Sequence, residues 1–318
     1  MTQQPVVRIL AGVAGRSLSM MVGMASGAVD ALADRRAGSG MPGAVPFQPI
    51  VAGVSGGAIA AAGTALGMTR ERTRQIAIAY PESDVLGARS FRAFLARRVL
   101  YPDARIRELA YAVVGDRTFA DFALEPTAPG HEAASALIIP VYSAEYGTLV
   151  LPRDLPKLGV SDLPVADALV AATRIPGALP AAAGLENIFD GGCHHRVPRD
   201  IFAPHRALVL DLYGPQPYNS RGGLLFPVLH PSLRAIRNRP RPFHDAALRD
   251  ATVFAQQPYG AALRTPGRSA EELFDSGYDI AATWIRSRTD AQLLNVVDPE
   301  VLGAAEGAVD GDRIQPVT

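Results

Sequence analysis

The twenty residues from Pro49 to Met68, "PIVAGVSGGAIAAAGTALGM", contain no charged side chain. A stretch of this length is long enough for a helix that spans a membrane. However, it is rich in Gly and Ala, it follows Pro46, and Ser55-Gly56-Gly57 lies near its middle. These features favour a buried strand, a sharp turn and a buried helix. The stretch therefore predicts a strand, turn and helix inside a protein core.

The composition indicates a soluble globular protein. The chain has 318 residues, of which 48% are hydrophobic and 19% charged, so it can bury the core of one large domain or two small ones. Lys+Arg and Asp+Glu are equal at 31 each. Because the net charge is near zero, no overall field favours nucleic acid or an anionic surface. We expect no nucleic-acid partner.

The cysteine content and the N-terminus bear on the cellular compartment. The chain has one cysteine, which cannot form an internal disulfide. The first ten residues, "MTQQPVVRIL", lack the basic segment followed by an apolar segment that marks a secretory signal. The cytoplasm is the expected location. Neither a metal nor a cofactor is expected, and the oligomeric state is left open.

Strand and helix signals alternate along the chain, as is typical of a layered α/β domain. The predicted strands are residues 6–10, 49–53, 137–142, 148–151 and 206–213. The predicted helical segments are residues 18–32, 57–66, 104–114, 118–122 and 165–173. A last helix is expected to begin at Ser269, which caps it while Glu272 reaches back, and to extend past Trp284.

We expect a single domain over residues 1–302, with its core at 6–213 and a closing helix at about 269–288. The segment 215–249 is rich in Pro, Gly and Arg. It is interpreted as a linker or a loop over a site, and its mixture of Arg with apolar residues also suits transient contact with a membrane surface. Residues 303–318 show little periodicity and predict a disordered tail.

The five residues from Gly53 to Gly57 have the pattern Gly-x-Ser-x-Gly between a predicted strand and a predicted helix. In this setting a serine lies at a strained elbow, with the N-terminus of the helix beneath its Oγ. The alternative is that Ser55 merely begins a helix, since Gly and Ala are abundant here. A serine hydroxyl is a weak nucleophile and needs a base.

Two kinds of base remain open from the residues alone. His230 or His244 would give the order Ser, acid, His, although the Pro and Arg around them indicate an exposed loop. The other candidate is Asp190, in "FDGGCHH", which follows an apolar segment and precedes two glycines that permit a tight turn and a close approach. The alternative interpretation is that Asp190 and Gly191 form an ordinary Asp-Gly turn with no catalytic role.

Several motifs occur together in order. Gly-x-Ser-x-Gly is followed by "RIRELAYAVVGDRTFADF", "LIIPVYSAEYGTLVL", "ATRIPGALP", Asp190-Gly191-Gly192 and "DSGYDIAATWI". The combination resembles the patatin-like phospholipases and acyl hydrolases, which have Ala-Ser-x-Ala-Ile-Pro-Gly, an apolar residue and Pro before the aspartate. The positions kept here are Ala172, Ile175, Pro176, Gly177 and Pro180.

The resemblance implies a three-layer α/β fold with a central, mostly parallel sheet. It also implies that a Ser55–Asp190 dyad cleaves carboxylic, lipid esters through an acyl-serine intermediate. For Asp190 to act as the base, its carboxylate must be desolvated and its pKa raised. The alternatives are an acyltransferase, a hydrolase of another ester or thioester, and an inactive scaffold that binds a lipid or a protein.

Two departures from the family pattern concern the site. The family's oxyanion loop reads Asp-Gly-Gly-Gly-x-Arg-Gly, whereas residues 11–17 here read "AGVAGRS". Arg196 stands where the family has Asn. It either receives an anionic substrate group or forms a surface ion pair. Arg16, which matches the arginine of the family's loop, is a further candidate for substrate binding. Backbone N–H groups do the work in an oxyanion hole. The expected donors are those of Gly12, Val13, Ala14, Gly15 and Gly56.

Overall fold

A central sheet of seven strands runs through the described part of the chain. The computed structural model describes residues 5–38, 47–124, 135–203, 205–213, 251–255 and 267–302. The segment 215–249 and the tail 303–318 lie outside these residues. The extent of the single domain therefore stays a prediction.

The sheet is mixed but mostly parallel, as predicted. The strands are β1 Val6–Ala11, β2 Gln48–Gly53, β3 Leu137–Ser143, β4 Gly147–Leu151, β5 Ile188–Asp190, β6 Leu208–Asp211 and β7 Thr252–Phe254. Their order is β4-β3-β2-β1-β6-β7, with β5 also paired to β3. Only β4 and β5 run antiparallel to their neighbour β3, and the other described pairs are parallel.

The central strands are buried on both faces of the sheet. On β1, Val7 and Ile9 belong to the larger core, whereas Leu10 belongs to a smaller core. On β2, Val51 and Ala52 divide in the same way. Successive side chains of a strand point to opposite faces, so this alternation places one core on each side. Burial on both faces explains why these strands are continuous apolar runs in the sequence.

Helices flank the sheet. They are α1 Leu18–Gly38, α2 Gly56–Ala65, α3 Arg70–Ala79, α4 Glu82–Leu86, α5 Phe91–Arg97, α6 Ile106–Val114, α7 Val165–Thr173, α8 Ala270–Arg286 and α9 Asp290–Leu293. The cap of α8 is confirmed, because the Ser269 side chain accepts the N–H of Glu272 and the Glu272 carboxylate accepts that of Ser269. The sequence pattern did not indicate α3, α4 or α5.

The uncharged stretch Pro49–Met68 forms most of β2, a turn and α2, as predicted. Val51, Ala52 and Ala61 are fully buried. Among the described residues, no helix is both long and apolar enough to cross a membrane.

The helices α1 and α8 pack backbone to backbone through glycines. A Cβ atom built on Gly23 of α1 collides with the carbonyl oxygen of Phe274, and one built on Gly277 of α8 collides with that of Met20. Interiors are packed at crystal-like density, so neither helix has space to retreat. The long helix α1 is thereby fixed against the closing helix α8.

Replacing Gly23 with Ala should destabilise the fold by about 3 kcal/mol or more, because the added methyl forces the two helices apart. A matched control is Gly38→Ala at the end of the same helix, where a built Cβ meets nothing within 4 Å. That control should stay within about 0.5 kcal/mol of the parent. Urea unfolding followed by circular dichroism measures both changes. Equal midpoints for the two variants would contradict the close packing.

Candidate active site

Ser55 lies at a strained turn between β2 and α2. Its backbone has φ 58° and ψ −132°, a region that residues other than glycine rarely occupy. Within the described ranges, Arg98 is the only other non-glycine residue with positive φ. The Ser55 side chain does not cap α2, so its Oγ is not engaged by the first turn of the helix. The residue is 4% exposed. This is the geometry of a nucleophile elbow.

Close backbone contacts hold this turn in place. A Cβ atom built on Gly57 collides with the carbonyl oxygens of Ala11 and Gly12, and one built on Gly53 collides with the carbonyl oxygen of Gly57. The N–H of Val54 donates to the carbonyl oxygen of Ala11 at 3.0 Å. The turn therefore lies directly on the end of β1, and only glycine fits at these positions.

The strands that lead to Ser55 and to Asp190 both pair with β3. β2 pairs with the first residues of β3, Val51↔Leu137 and Ala52↔Ile138, and it ends at Gly53, two residues before Ser55. Asp190, the last residue of β5, pairs with Val141. Because β4 covers the other edge of β3, β5 takes the edge that β2 leaves when it ends. The end of β2, just before Ser55, and the end of β5, at Asp190, therefore face each other along one edge of β3.

The Asp190 carboxylate is buried and its orientation is fixed. The residue is 2% exposed, and its Oδ1 accepts the N–H of Gly192 at 2.7 Å. A Cβ atom built on Gly192 would lie 3.0 Å from both this oxygen and a methyl group of Val13. The loop that follows β1 therefore reaches Asp190. Three segments that are distant in sequence meet here: this loop, the Ser55 turn and β5.

Arg174 holds β5 in position, a role that was not predicted from the sequence. Its guanidinium donates to the carbonyl oxygens of Ile188, at 3.0 Å, and Glu186. It also lies over the ring of Phe189, at 4.5 Å from the centroid, while its own carbonyl oxygen accepts the N–H of Asp190 at 2.9 Å. Burial lowers the pKa of this guanidinium. The available signal was an arginine where the family pattern has alanine, directly before Ile-Pro-Gly.

The predicted oxyanion loop lies beside the Ser55 turn, but Gly12 must be removed from the set of donors. The N–H of Gly12 donates to the carbonyl oxygen of Leu210 at 2.9 Å, which extends the pairing of β1 with β6. In the part of the chain that the structure describes, no acceptor binds the N–H groups of Val13, Ala14 or Gly15. A Cβ atom built on Gly56 would lie 2.9 Å from that of Ala14.

Arg196 forms an ion pair, but not at the surface. Its Nη2 lies 3.1 Å from Oδ2 of Asp211, and the two side chains are 11% and 0% exposed. The other oxygen of Asp211 accepts the N–H of Tyr213, whose hydroxyl donates to the carbonyl oxygen of Ala14 at 2.6 Å. The surface location expected for this pair is therefore wrong. The pair instead supports the oxyanion loop from β6, and a role of Arg196 in substrate binding stays a prediction.

An apolar pocket of about 90 Å³ opens beside Ser55. Its polar residues are Arg16, Glu82 and Thr173 with Ser55 itself, and its apolar lining consists of Leu18, Ile59, Val85, Leu86, Tyr101, Ile106, Ile175, Ala178 and Leu179. The Glu82 carboxylate accepts the N–H of Ser19 at 2.7 Å, at the start of α1. A second cavity of about 30 Å³ shares Leu18 and Ile59 with the first, so these two side chains separate the cavities.

The histidines do not decide between a dyad and a triad. Nδ1 of His194 lies 2.6 Å from the hydroxyl of Thr148, and His205 is exposed. His230 and His244, the candidates for a third catalytic residue, lie outside the described residues. Within the described ranges, no group of His, Cys, Asp and Glu could hold a metal ion.

Comparison with known proteins gives one family. A family model, the patatin-like phospholipase model, matches residues 23–203, which is more than half of the chain and includes both Ser55 and Asp190. No curated protein matches the sequence significantly. The match begins after the oxyanion loop, whose departures from the family pattern are therefore outside it. With its mostly parallel sheet flanked by helices, the chain belongs to the patatin-like phospholipase family, a family of lipid acyl hydrolases.

Proposed function

We propose that the protein is a serine hydrolase that cleaves carboxylic esters of lipids through a Ser55–Asp190 dyad. One observation carries the proposal: a serine in a strained turn after β2 opens on an apolar pocket, and a buried carboxylate ends β5, which pairs with the same strand as β2. An exposed Asp-Gly turn would have neither the burial nor the strand pairing. The proposed substrate is an ester whose acyl chain enters the pocket.

In the proposed reaction, Ser55 Oγ attacks the ester carbonyl carbon while Asp190 takes the hydroxyl proton. The carbonyl oxygen becomes an oxyanion, which N–H groups of Val13, Ala14, Gly15 and Gly56 stabilise beside the positive N-terminus of α2. Asp190 then gives its proton to the leaving alcohol as the C–O bond breaks, which leaves an acyl-serine. A water molecule gives a proton to Asp190 and attacks the acyl carbon, and the proton returns to Ser55 as the acid departs.

The size of the pocket supports a short acyl segment. At about 90 Å³, it is smaller than an engineered apolar cavity of about 150 Å³ that binds benzene. Leu18 and Ile59 line both this pocket and the next cavity, so they form the wall between the two. We infer that the part of the acyl chain next to the carbonyl fits here and that these two side chains limit its length.

The dyad predicts that Asp190→Asn lowers acylation of Ser55 by about 10² to 10⁴-fold, because the amide keeps the shape but cannot accept the proton. Single-turnover labelling with a fluorophosphonate probe, followed by mass spectrometry of the Ser55 peptide, measures this step. Ser55→Ala is the blank.

Alanine variants of His194, His195, His205, His230 and His244 are the controls for that experiment, and each should label nearly as fast as the parent. A folded histidine variant that fails to label, beside an Asp190→Asn protein that still labels, would replace the dyad by a triad. If the parent neither labels nor hydrolyses p-nitrophenyl esters, the inactive-scaffold alternative is supported instead.

The oxyanion assignment predicts that Gly56→Ala lowers turnover by about 10²-fold, because the new methyl displaces Ala14 and the N–H groups around it. Gly63→Ala is the matched control on the same helix, since its built Cβ makes only ordinary contacts, with the sulfur of Met68 at 3.4 Å and a methyl group of Val113 at 3.9 Å. The control should keep full turnover and gain up to about 1 kcal/mol of stability. Steady-state kinetics and thermal unfolding measure both. Unchanged turnover in Gly56→Ala would show that the loop around Ala14 does not stabilise the oxyanion.

The pocket predicts that kcat/KM for p-nitrophenyl esters is highest for short acyl chains and falls for long ones. Leu18→Ala should join the two cavities and move the optimum to longer chains. Val22→Ala is the control, because Val22 lines only the second cavity and its loss leaves the partition intact. The measurement is the ratio of kcat/KM for octanoate to that for butyrate. An equal ratio in all three proteins would show that the acyl chain binds elsewhere.

A further inference from the structure

The helix α5 exposes two large apolar side chains to solvent. Phe91 is 74% exposed and Leu95 is 75% exposed, whereas the other exposed large hydrophobic residues of the described chain lie between 37% and 48%. The two residues are four positions apart on the helix, so they lie on one face. Adjacent exposed apolar residues of this size mark a surface that another molecule covers.

Three arginines lie in or directly after α5. Arg92, Arg97 and Arg98 are exposed, and the segment from Val85 to Pro102 contains no acidic residue. Among the residues that the structure describes, no carboxylate forms an ion pair with these three arginines. We call Phe91, Leu95 and the three arginines the α5 surface. It is a local concentration of positive charge on a chain with no net charge.

The fold does not use the α5 surface to hold α5 in place. Ala93 is the residue of α5 that is buried in the protein, and the Ser90 side chain caps the helix by accepting the N–H of Ala93 at 3.2 Å. The two exposed apolar side chains thus remain available for a partner.

The α5 surface belongs to the segment that walls the pocket of Ser55. Val85 and Leu86, before α5, and Tyr101, after it, line that pocket. The N–H groups of Leu100 and Tyr101 donate to the carbonyl oxygens of Gly177 and Ala178, at 3.0 and 2.9 Å, which ties the segment to another part of the pocket wall. A partner bound to α5 therefore lies next to residues that line the pocket of Ser55.

We propose that the α5 surface docks on an anionic phospholipid bilayer. Phe91 and Leu95 insert among the acyl chains, and the three arginines bind phosphate groups of the lipid heads. Charge complementarity favours lipid over a second copy of this chain, because a second α5 surface would bring the same positive charges together. The inference concerns binding and goes beyond the proposed hydrolysis.

Co-sedimentation of the full chain with vesicles tests the proposal. One set of vesicles contains phosphatidylcholine alone, and the other contains equal parts of phosphatidylcholine and phosphatidylglycerol. The protein should sediment with the anionic vesicles, and less as the salt concentration rises, because salt screens the arginine contacts. It should bind the neutral vesicles much more weakly.

Two double variants separate the apolar and the charged contributions. Phe91→Ser with Leu95→Ser should weaken binding to anionic vesicles by at least about tenfold, and Arg92→Glu with Arg97→Glu by about 20-fold or more. The matched controls on α3 are Ile78→Ser, an exposed apolar residue, and Arg72→Glu, an exposed arginine. Both controls should bind like the parent, and every variant should hydrolyse a soluble ester at the parent rate.

The proposal is overturned if the parent does not bind anionic vesicles or if the Phe91→Ser, Leu95→Ser protein binds them like the parent. If the parent binds no vesicles and light scattering shows an oligomer that the Phe91→Ser, Leu95→Ser protein lacks, the surface instead joins copies of the chain. Loss of ester hydrolysis with intact vesicle binding would count against the proposed reaction and not against the α5 surface.

Discussion

The contact between the Ser55 turn and the end of β1 is the constraint on which the site depends. A serine at φ 58° and ψ −132° is strained by about 1–3 kcal/mol, and such a conformation persists only when its surroundings impose it. Here the carbonyl oxygens of Ala11 and Gly12 lie against Gly57 so closely that no side chain fits between them. The same contact places the loop after β1, the proposed oxyanion loop, beside the serine.

β3 pairs with both strands that lead to the proposed catalytic residues, β2 and β5. β2 pairs with its first residues and β5 with its later ones, which lets a parallel and an antiparallel strand meet end to end. Arg174 fastens the short antiparallel strand through carbonyl oxygens of that strand and of the turn before it. On the other side, Arg196, Asp211 and Tyr213 support the loop that has Val and Ala where the family has glycine. Buried polar contacts thus flank both proposed catalytic segments.

The elements that the sequence predicted well are those with a strong local signal. The uncharged stretch around Ser55 and the capping box at Ser269 depend on neighbouring residues alone, and both are confirmed. The helix α3, "RERTRQIAIA", mixes charged and apolar residues and gave no clear period. Whether Ser55 and Asp190 act as a dyad is still a prediction.

Features that depend on distant pairing were not predictable. The amide of Gly12 is lost as an oxyanion donor only because β6 lies next to β1, and sequence order does not reveal this neighbour. Asp211 reads as one polar residue in an apolar strand, so its pairing with Arg196 was not visible. The glycine contact of α1 with α8 likewise joins segments about 250 residues apart, and only packing in three dimensions selects it.

The shortness of β5 has a consequence for how the site responds to heat. Three residues pair with β3, and this pairing and the Arg174 contacts hold the proposed base, whereas the serine is anchored in long central elements. Short elements open locally with free energies well below that of global unfolding. The amide protons of β5 should therefore exchange with solvent faster than those of β1 and β2. If Asp190 is the base, turnover should fall on warming at temperatures where the sheet is still folded.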